Sequence, residues 1–376
     1  MNKWWVILVL CLSVTVQAAN LSVQEDGGGD YTTLDEALDN IGAAETITIE
    51  GEWDSADTRN AIVSTDCTIT ATGAARVTTA RHVAGTPTHY RLQCASNGSH
   101  CILVNDSATT IDGIEVKQGG TGASDECIRM AHDGGTLTVQ NCIIYSAHGA
   151  DDQDGIYAGG ISCTVNSVNN IIYNFERAGL SAQIVSGTLT QTWNVNSNSI
   201  YLCGEDGEAI GGVLSIYRSV NSTFNINVHN TWALGCSYNS NDSFNEYIPG
   251  SAGTATWAIS YSIDDDNSIA SRDAGGTGNQ ASRTISDNNG LGDGSYVIVT
   301  DITGAVPFDL SLQDMTNASN NAQDEHDVEE AEGLTIPGTD IDATARPQNT
   351  NYDVGAYEID TGGAPAGGGQ VIMISN

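Results

Sequence analysis

The sequence has almost no lysine and little positive charge of any kind. Its 376 residues carry 12 Lys and Arg against 47 Asp and Glu, a formal net charge of −35. Lys3 and Lys117 are the only lysines. Such a surface repels nucleic acid and anionic membranes, so neither is an expected partner. It also disfavours a polyanionic glycan unless calcium or a local arginine intervenes. The plainest meaning of the charge is solubility in salty or calcium-rich water.

Long apolar runs are also missing. The longest, Trp4 to Val16, has 13 residues, too few to span a bilayer. Lys3 precedes it, and Val16-Gln17-Ala18 supplies small residues before Ala19. That pattern predicts a cleavable secretory signal over residues 1–19. Cys11 lies inside the run with no small-residue lipobox before it, so a lipid anchor is not expected. The expectation is an exported chain, secreted or at the cell surface, without stable membrane insertion.

No CxxC pair occurs, which argues against a cysteine zinc site. Eight cysteines follow the signal: Cys67, Cys94, Cys101, Cys127, Cys142, Cys163, Cys203 and Cys236. An even count in an exported chain permits disulfides. Cys94 and Cys101 flank Ala-Ser-Asn-Gly-Ser-His, a loop that a bridge would close. The competing reading is buried free thiols acting as small hydrophobes; Cys142 and Cys163 fall at core positions of the repeat.

Long strands joined by hairpin turns are absent as well, which argues against a propeller or sandwich. Present instead is a degenerate repeat. A polar residue precedes a short β-rich run at Asp112, Asn141, Asn170, Asn198 and Asn230, in steps of 29, 29, 28 and 32. A second column of strands opens each unit, at Cys101-Ile-Leu-Val, Cys127-Ile-Arg-Met, Gly155-Ile-Tyr-Ala, Gly179-Leu-Ser-Ala and Ala209-Ile-Gly-Gly-Val. A third runs before the asparagines, at Leu137-Thr-Val, Cys163-Thr-Val, Trp193-Asn-Val and Phe224-Asn-Ile. Three short strands per unit, with no helix between them, predict an all-β, right-handed parallel β-helix of about 28 residues per rung. Each rung buries its inward side chains against the rungs above and below. The repeated asparagines would stack at a corner and pair their amides along the axis.

A solenoid end is a sheet edge that must be covered. Thr33-Leu-Asp-Glu36 reads as a capping box, and Leu34, Ala37, Leu38 and Ile41 form one apolar stripe. A helix over residues 33–40 is therefore expected to plug the first rung. Residues 46–110 would hold less regular early rungs, including Ile47-Thr-Ile and Cys67-Thr-Ile-Thr. The regular rungs end near Ser237, with further strand expected at residues 255–263 and at Tyr296-Val-Ile-Val. The division is thus a signal (1–19), one β-helix domain (20–360) and a Gly/Ala-rich linker with a short apolar tail (361–376).

The segment Asp26-Gly-Gly-Gly-Asp-Tyr-Thr-Thr-Leu-Asp-Glu-Ala-Leu38 resembles a motif that precedes the capping helix in the pectate-lyase-like β-helix superfamily. Asp340-Ile-Asp-Ala-Thr-Ala-Arg346, followed by Tyr352-Asp-Val-Gly-Ala-Tyr-Glu358, resembles the closing motif of many of its bacterial and viral members. The resemblance implies the fold and a choice of activities: polysaccharide lyase, glycoside hydrolase, carbohydrate esterase, viral tailspike or adhesin. It supplies no catalytic residue. The basic cluster of the lyases is missing around Lys117. Of the hydrolase motifs, only Asp151-Asp152 and Asp154-Gly155-Ile156 have any counterpart.

The repeat gathers acids into one column of turns: Asp125-Glu126, Asp151-Asp152-Gln153-Asp154, Glu176-Arg177 and Glu205-Asp206-Gly207-Glu208. Neighbouring strands lie about 4.8 Å apart. Carboxylates at one depth would then approach the roughly 5 Å spacing of a retaining glycosidase pair. Asp151, Asp152, Asp154, Glu176, Arg177 and Glu205 are the catalytic candidates, with Arg177 suited to hold a carboxylate bidentately. The same column also reads as a calcium ridge, with Asp125, Asp154, Glu205, Asp206 and Glu208 as candidate ligands, or as solvated turns. His148 would join the Asp151 site as an acid or base. His82, His89, His100 and His132 read as turn or surface residues. Tyr145, Tyr173 and Tyr201, spaced 28 and 28, form either an external ladder or an internal stack, the internal stack being the first expectation. The expected partner is a polysaccharide or cell-surface glycan, cleaved or only bound. The alternative is a non-enzymatic adhesin or virion spike.

Overall fold

A computed structural model describes residues 20–78, 82, 87–94, 100–119, 126–146, 153–204, 212–218, 221–234, 236, 243–247, 253–260, 262–264, 272, 285–286, 296–297, 339–343 and 356. Their strands form three long sheets, all parallel and stacked in chain order, the arrangement of a parallel β-helix. The first sheet has nine strands, from Asn20–Val23 to Thr254–Ser260. The second has seven, from Arg91–Gln93 to Ile263–Asp264. The third also has seven, from Ala61–Val63 to Phe244–Tyr247. The chain visits the third, first and second sheets in rotation. Ile285–Ser286 and Tyr296–Val297 pair as a separate parallel ladder.

Alternation explains why these strands stack. Ile47, Ile69, Ile111, Val139, Ser167, Val195, Val228 and Ile259 are in register along the first sheet. Leu92, Val116, Ile144, Ile172, Ile200 and Ala233 line the second, and Ile102, Ile128, Ile156, Leu180, Leu214 and Phe244 the third. All are buried. Each large aliphatic contributes roughly 1.5–3 kcal/mol by leaving water. Ser167, the polar member, donates from its hydroxyl to Asn198 Oδ1 at 3.1 Å.

The corner between the first and second sheets is sharper than the sequence suggests. Gly113, Asn141, Asn169, Ser197 and Asn230 occupy one position with φ between 50° and 74°. Asparagine and glycine tolerate that left-handed region best. Asn169 donates its amide to Asn141 Oδ1, and Asn141 donates to Asp112, both at 2.6 Å. The next position is a second, buried ladder. Asn170 Oδ1 accepts from Cys142 N at 2.9 Å, and Asn198 Oδ1 accepts from Asn170 N at 3.0 Å. The expected column of Asp112, Asn141, Asn170, Asn198 and Asn230 therefore mixes three neighbouring corner positions. Consecutive Asn169-Asn170 let either residue satisfy the pattern.

The helix is Leu34–Leu38, shorter than the expected 33–40. Thr33 Oγ1 accepts from Glu36 N at 3.4 Å, one half of a capping box. The other half is not made, because Glu36 takes the Thr32 hydroxyl at 3.2 Å and Arg59 at 3.7 Å. Leu34 and Ala37 are buried, and the helix packs against Asn20–Val23, Glu45–Ile49 and Ala61–Val63, the early strands. Cys94 and Cys101 form a disulfide. The other six cysteines after the signal region are free thiols, all buried.

Two excursions cover the outer face of the second sheet. One carries His82 and His89, which meet Glu115 and Tyr173 of that face. The other is far later in the chain: Ala356 N donates to Ser199 Oγ at 2.9 Å, and Asn169 donates to Thr339 O at 3.4 Å. Asp340 and Ile341 of the Asp340–Arg346 motif are buried there. Residues 1–19 lie outside the described residues. Among the described residues no helix is long and apolar enough to cross a membrane.

Candidate functional sites on the second and third sheets

The acid column is partly in view at the start of the third-sheet strands. Glu126 and Asp154 are in register on neighbouring strands, about 4.8 Å apart at the backbone. Gly155 leaves no room for a side chain: an added Cβ would meet Gly179 O at 2.4 Å. That close approach seats the beginnings of these strands. Asp154 is wholly buried, and both its oxygens are taken by Arg177, one of them by Nε at 2.9 Å. The Gln153 carbonyl holds Arg177 N at 3.2 Å and so places the guanidinium beside Asp154. Burial pushes the Asp154 carboxyl above its ordinary value, Arg177 offsets part of that, and Glu126 adds to the rise.

Glu126 is nearly buried as well. His100 Nδ1 lies 2.5 Å from its Oε2, and Arg129 Nη1 lies 3.9 Å from its Oε1. Arg129 spreads its guanidinium over the Tyr157 ring at 5.2 Å. Tyr157 donates to Gln183 Oε1 at 3.5 Å. Arg129, Tyr157 and Gln183 thus form a partly exposed polar row across three neighbouring strands. Glu176 is part-buried in the turn before Ala178–Ile184. Asp125, His148, Asp151, Asp152, Glu205, Asp206 and Glu208 lie outside the described residues. Of the candidates, the structure therefore brings Asp154 and Arg177 together and adds Glu126, His100, Arg129 and Tyr157 beside them.

A denser cluster stands on the outer face of the second sheet. Glu115 has no solvent exposure. Its Oε1 accepts from Arg91 Nε and from the Tyr145 hydroxyl, the latter at 2.8 Å. Its Oε2 faces His82 Nδ1 at 2.9 Å and contacts His89 Nε2. His82 Nε2 lies 2.7 Å from the Tyr173 hydroxyl. Burial alone would raise the Glu115 carboxyl, but His82 and His89 together hold it well below its ordinary value. Lys117 lies 6.0 Å from the Tyr145 ring centre, and burial and Arg91 pull its ammonium down.

Here the tyrosine ladder finds its place. Tyr145, Tyr173 and Tyr201 are in register, and the first two stack at 4.9 Å with planes 6° apart. Their neighbours Ile144, Ile172 and Ile200 belong to the main core; the tyrosines do not. The ladder is external, contrary to the first expectation, yet buried under the covering excursion. His82 and His89 are likewise buried rather than turn or surface residues.

The sequence carried one signal of this cluster, a glutamate between Ile114 and Val116 at a fully buried strand position. No protein-family model matches the chain, and no curated protein matches it.

Proposed function

We propose that the protein is an exported right-handed parallel β-helix of the pectate-lyase-like type that engages a polysaccharide along the outer face of its third sheet. The observation that carries this reading is the Arg129–Tyr157–Gln183 row beside the Glu126 and Asp154 carboxyls. An aromatic face, a planar guanidinium and an amide, repeated on neighbouring strands, offer stacking and hydrogen bonds to successive sugar units. The strand repeat of about 4.8 Å suits a linear polymer laid along the axis. The net charge of −35 favours a neutral glycan over a uronate.

Among the described carboxyls, binding is better supported than cleavage. Asp154 is committed to Arg177, and Glu126 is nearly buried beside His100. A general acid or nucleophile needs an oxygen open to substrate. A non-enzymatic adhesin or spike is the second reading, and the Asp154–Arg177 pair supports it. A panel of neutral and acidic polysaccharides, assayed for new reducing ends and unsaturated products with and without calcium, separates the readings. Binding without product is the expected result. Product from any polysaccharide makes the chain an enzyme, and neither binding nor product leaves the spike.

A further inference from the structure

We propose that His82, His89 and Glu115 bind one divalent transition-metal ion, outside the third-sheet face and independently of it. Each residue offers one ligand atom, and these atoms all lie within 4.8 Å of one another. All three residues are buried, at 2%, 0% and 0% exposure. Two imidazole nitrogens and one carboxylate oxygen suit zinc and its first-row neighbours, whereas calcium takes oxygen ligands almost alone.

The surroundings are arranged around the three ligand atoms. Glu115 Oε1 is held by Arg91 and Tyr145, which turns Oε2 toward the two histidines. His82 Nε2 is held by the Tyr173 hydroxyl, which aims Nδ1 at Glu115 Oε2. Partners of this kind on the far atoms of ligands fix ring orientation and tautomer at metal sites. In the tautomer that donates Nε2–H to the Tyr173 hydroxyl, His82 Nδ1 sets a lone pair against a carboxylate lone pair, and a cation between them resolves the repulsion. His89 Nδ1 is buried without a hydrogen-bond partner, so Glu115 is that ring's polar anchor.

The competing occupant is a proton, since an imidazole N–H can donate to Oε2. An ion with bonds of about 2.0–2.1 Å in tetrahedral geometry needs ligand atoms about 3.3 Å apart. The 2.9 Å separation at His82 must therefore open by a few tenths of an ångström, and the shorter contact between His89 and Glu115 must open further. Arg91 opposes the added charge, so affinity is expected below that of a four-ligand structural zinc site. A bound ion would pin the covering excursion to the second sheet, because His82 and His89 belong to the excursion and Glu115 to the strand Glu115–Gln118.

The test uses the full exported chain, stripped with chelator and titrated with zinc chloride alone. Metal content and the thermal midpoint are both read. One zinc per chain and a raised midpoint are expected, with no response to calcium. His82→Gln with His89→Gln should weaken zinc by more than about a hundredfold, and Tyr173→Phe, which keeps all three ligands, by about ten- to a hundredfold. His132→Gln should change nothing. A folded wild type that takes up no zinc overturns the proposal. So does zinc uptake that survives the double substitution. Should the double variant not fold, unchanged affinity in Tyr173→Phe overturns it.

Discussion

Replacing Arg177 by methionine tests the electrostatics of the third sheet most sharply. The substitution keeps an apolar stem of similar length and removes the cation from both Asp154 oxygens. The Asp154 side chain has no exposure and that of Arg177 only 11%, so solvent screens the pair little. Breaking a buried pair by removing one partner costs about 3–5 kcal/mol. The cost depends on pH, and its sign follows from Asp154. Burial already raises that carboxyl in the folded chain, and loss of Arg177 raises it further. A raised folded-state value means stability that is present in acid and lost as pH rises through that value. The penalty of Arg177→Met should therefore be near its full size at pH 8 and shrink towards acid pH as Asp154 takes up a proton. Asp154→Asn added to Arg177→Met should recover most of the loss at pH 8, since neither charge of the pair remains buried. Urea unfolding followed by tryptophan fluorescence at several pH values reads each step. A penalty under about 1 kcal/mol at pH 8, or one that ignores pH, refutes the reasoning.

Three further outcomes follow from the same structure. Glu115→Gln should cost about 3–5 kcal/mol near neutrality, because Arg91 stays buried without its anion. His82 and His89 hold Glu115 below its ordinary 4.5, so the stability it contributes is present above that value and lost as pH falls through the lowered one. Urea midpoints of wild type and variant should converge in acid. Asn170→Ala strands Cys142 N–H and removes a donor from Val139 C=O; at about 1–3 kcal/mol for the stranded group, a loss of at least about 1 kcal/mol should appear in equilibrium unfolding. Thiol labelling of the native chain lacking residues 1–19 should find none of its six free cysteines reactive, and denaturant without reductant should expose those six. Burial pushes the Cys142 thiol up to about 12, so it stays protonated at ordinary pH.

The stacking was legible because it is written locally. Ile128, Ile156 and Leu180, or Ile144, Ile172 and Ile200, repeat a branched aliphatic residue at the same strand position, and parallel stacking turns that repeat into contact. Thr33 and the Cys94–Cys101 loop were local signals too. The side on which a residue stands was harder to read. Ile144-Tyr145 and Ile172-Tyr173 are apolar at both parities, so alternation cannot say which faces inward. The corner slipped by one residue for a similar reason, since Asn169 and Asn170 are both asparagine. Least visible was the Glu115 cluster. His82 and Tyr173 are 91 residues apart and meet only because one excursion folds across two neighbouring strands.

The most direct measurement of the central claim is binding of a neutral polysaccharide by titration calorimetry, comparing wild type with Tyr157→Ala and Arg129→Ala. Both side chains are partly exposed, and neither is an inward core residue. At least one neutral glycan should bind wild type, with affinity lost in either variant while urea stability stays close to wild type. A folded wild type that binds none of the panel contradicts the account, and so does a glycan bound equally well by all three proteins.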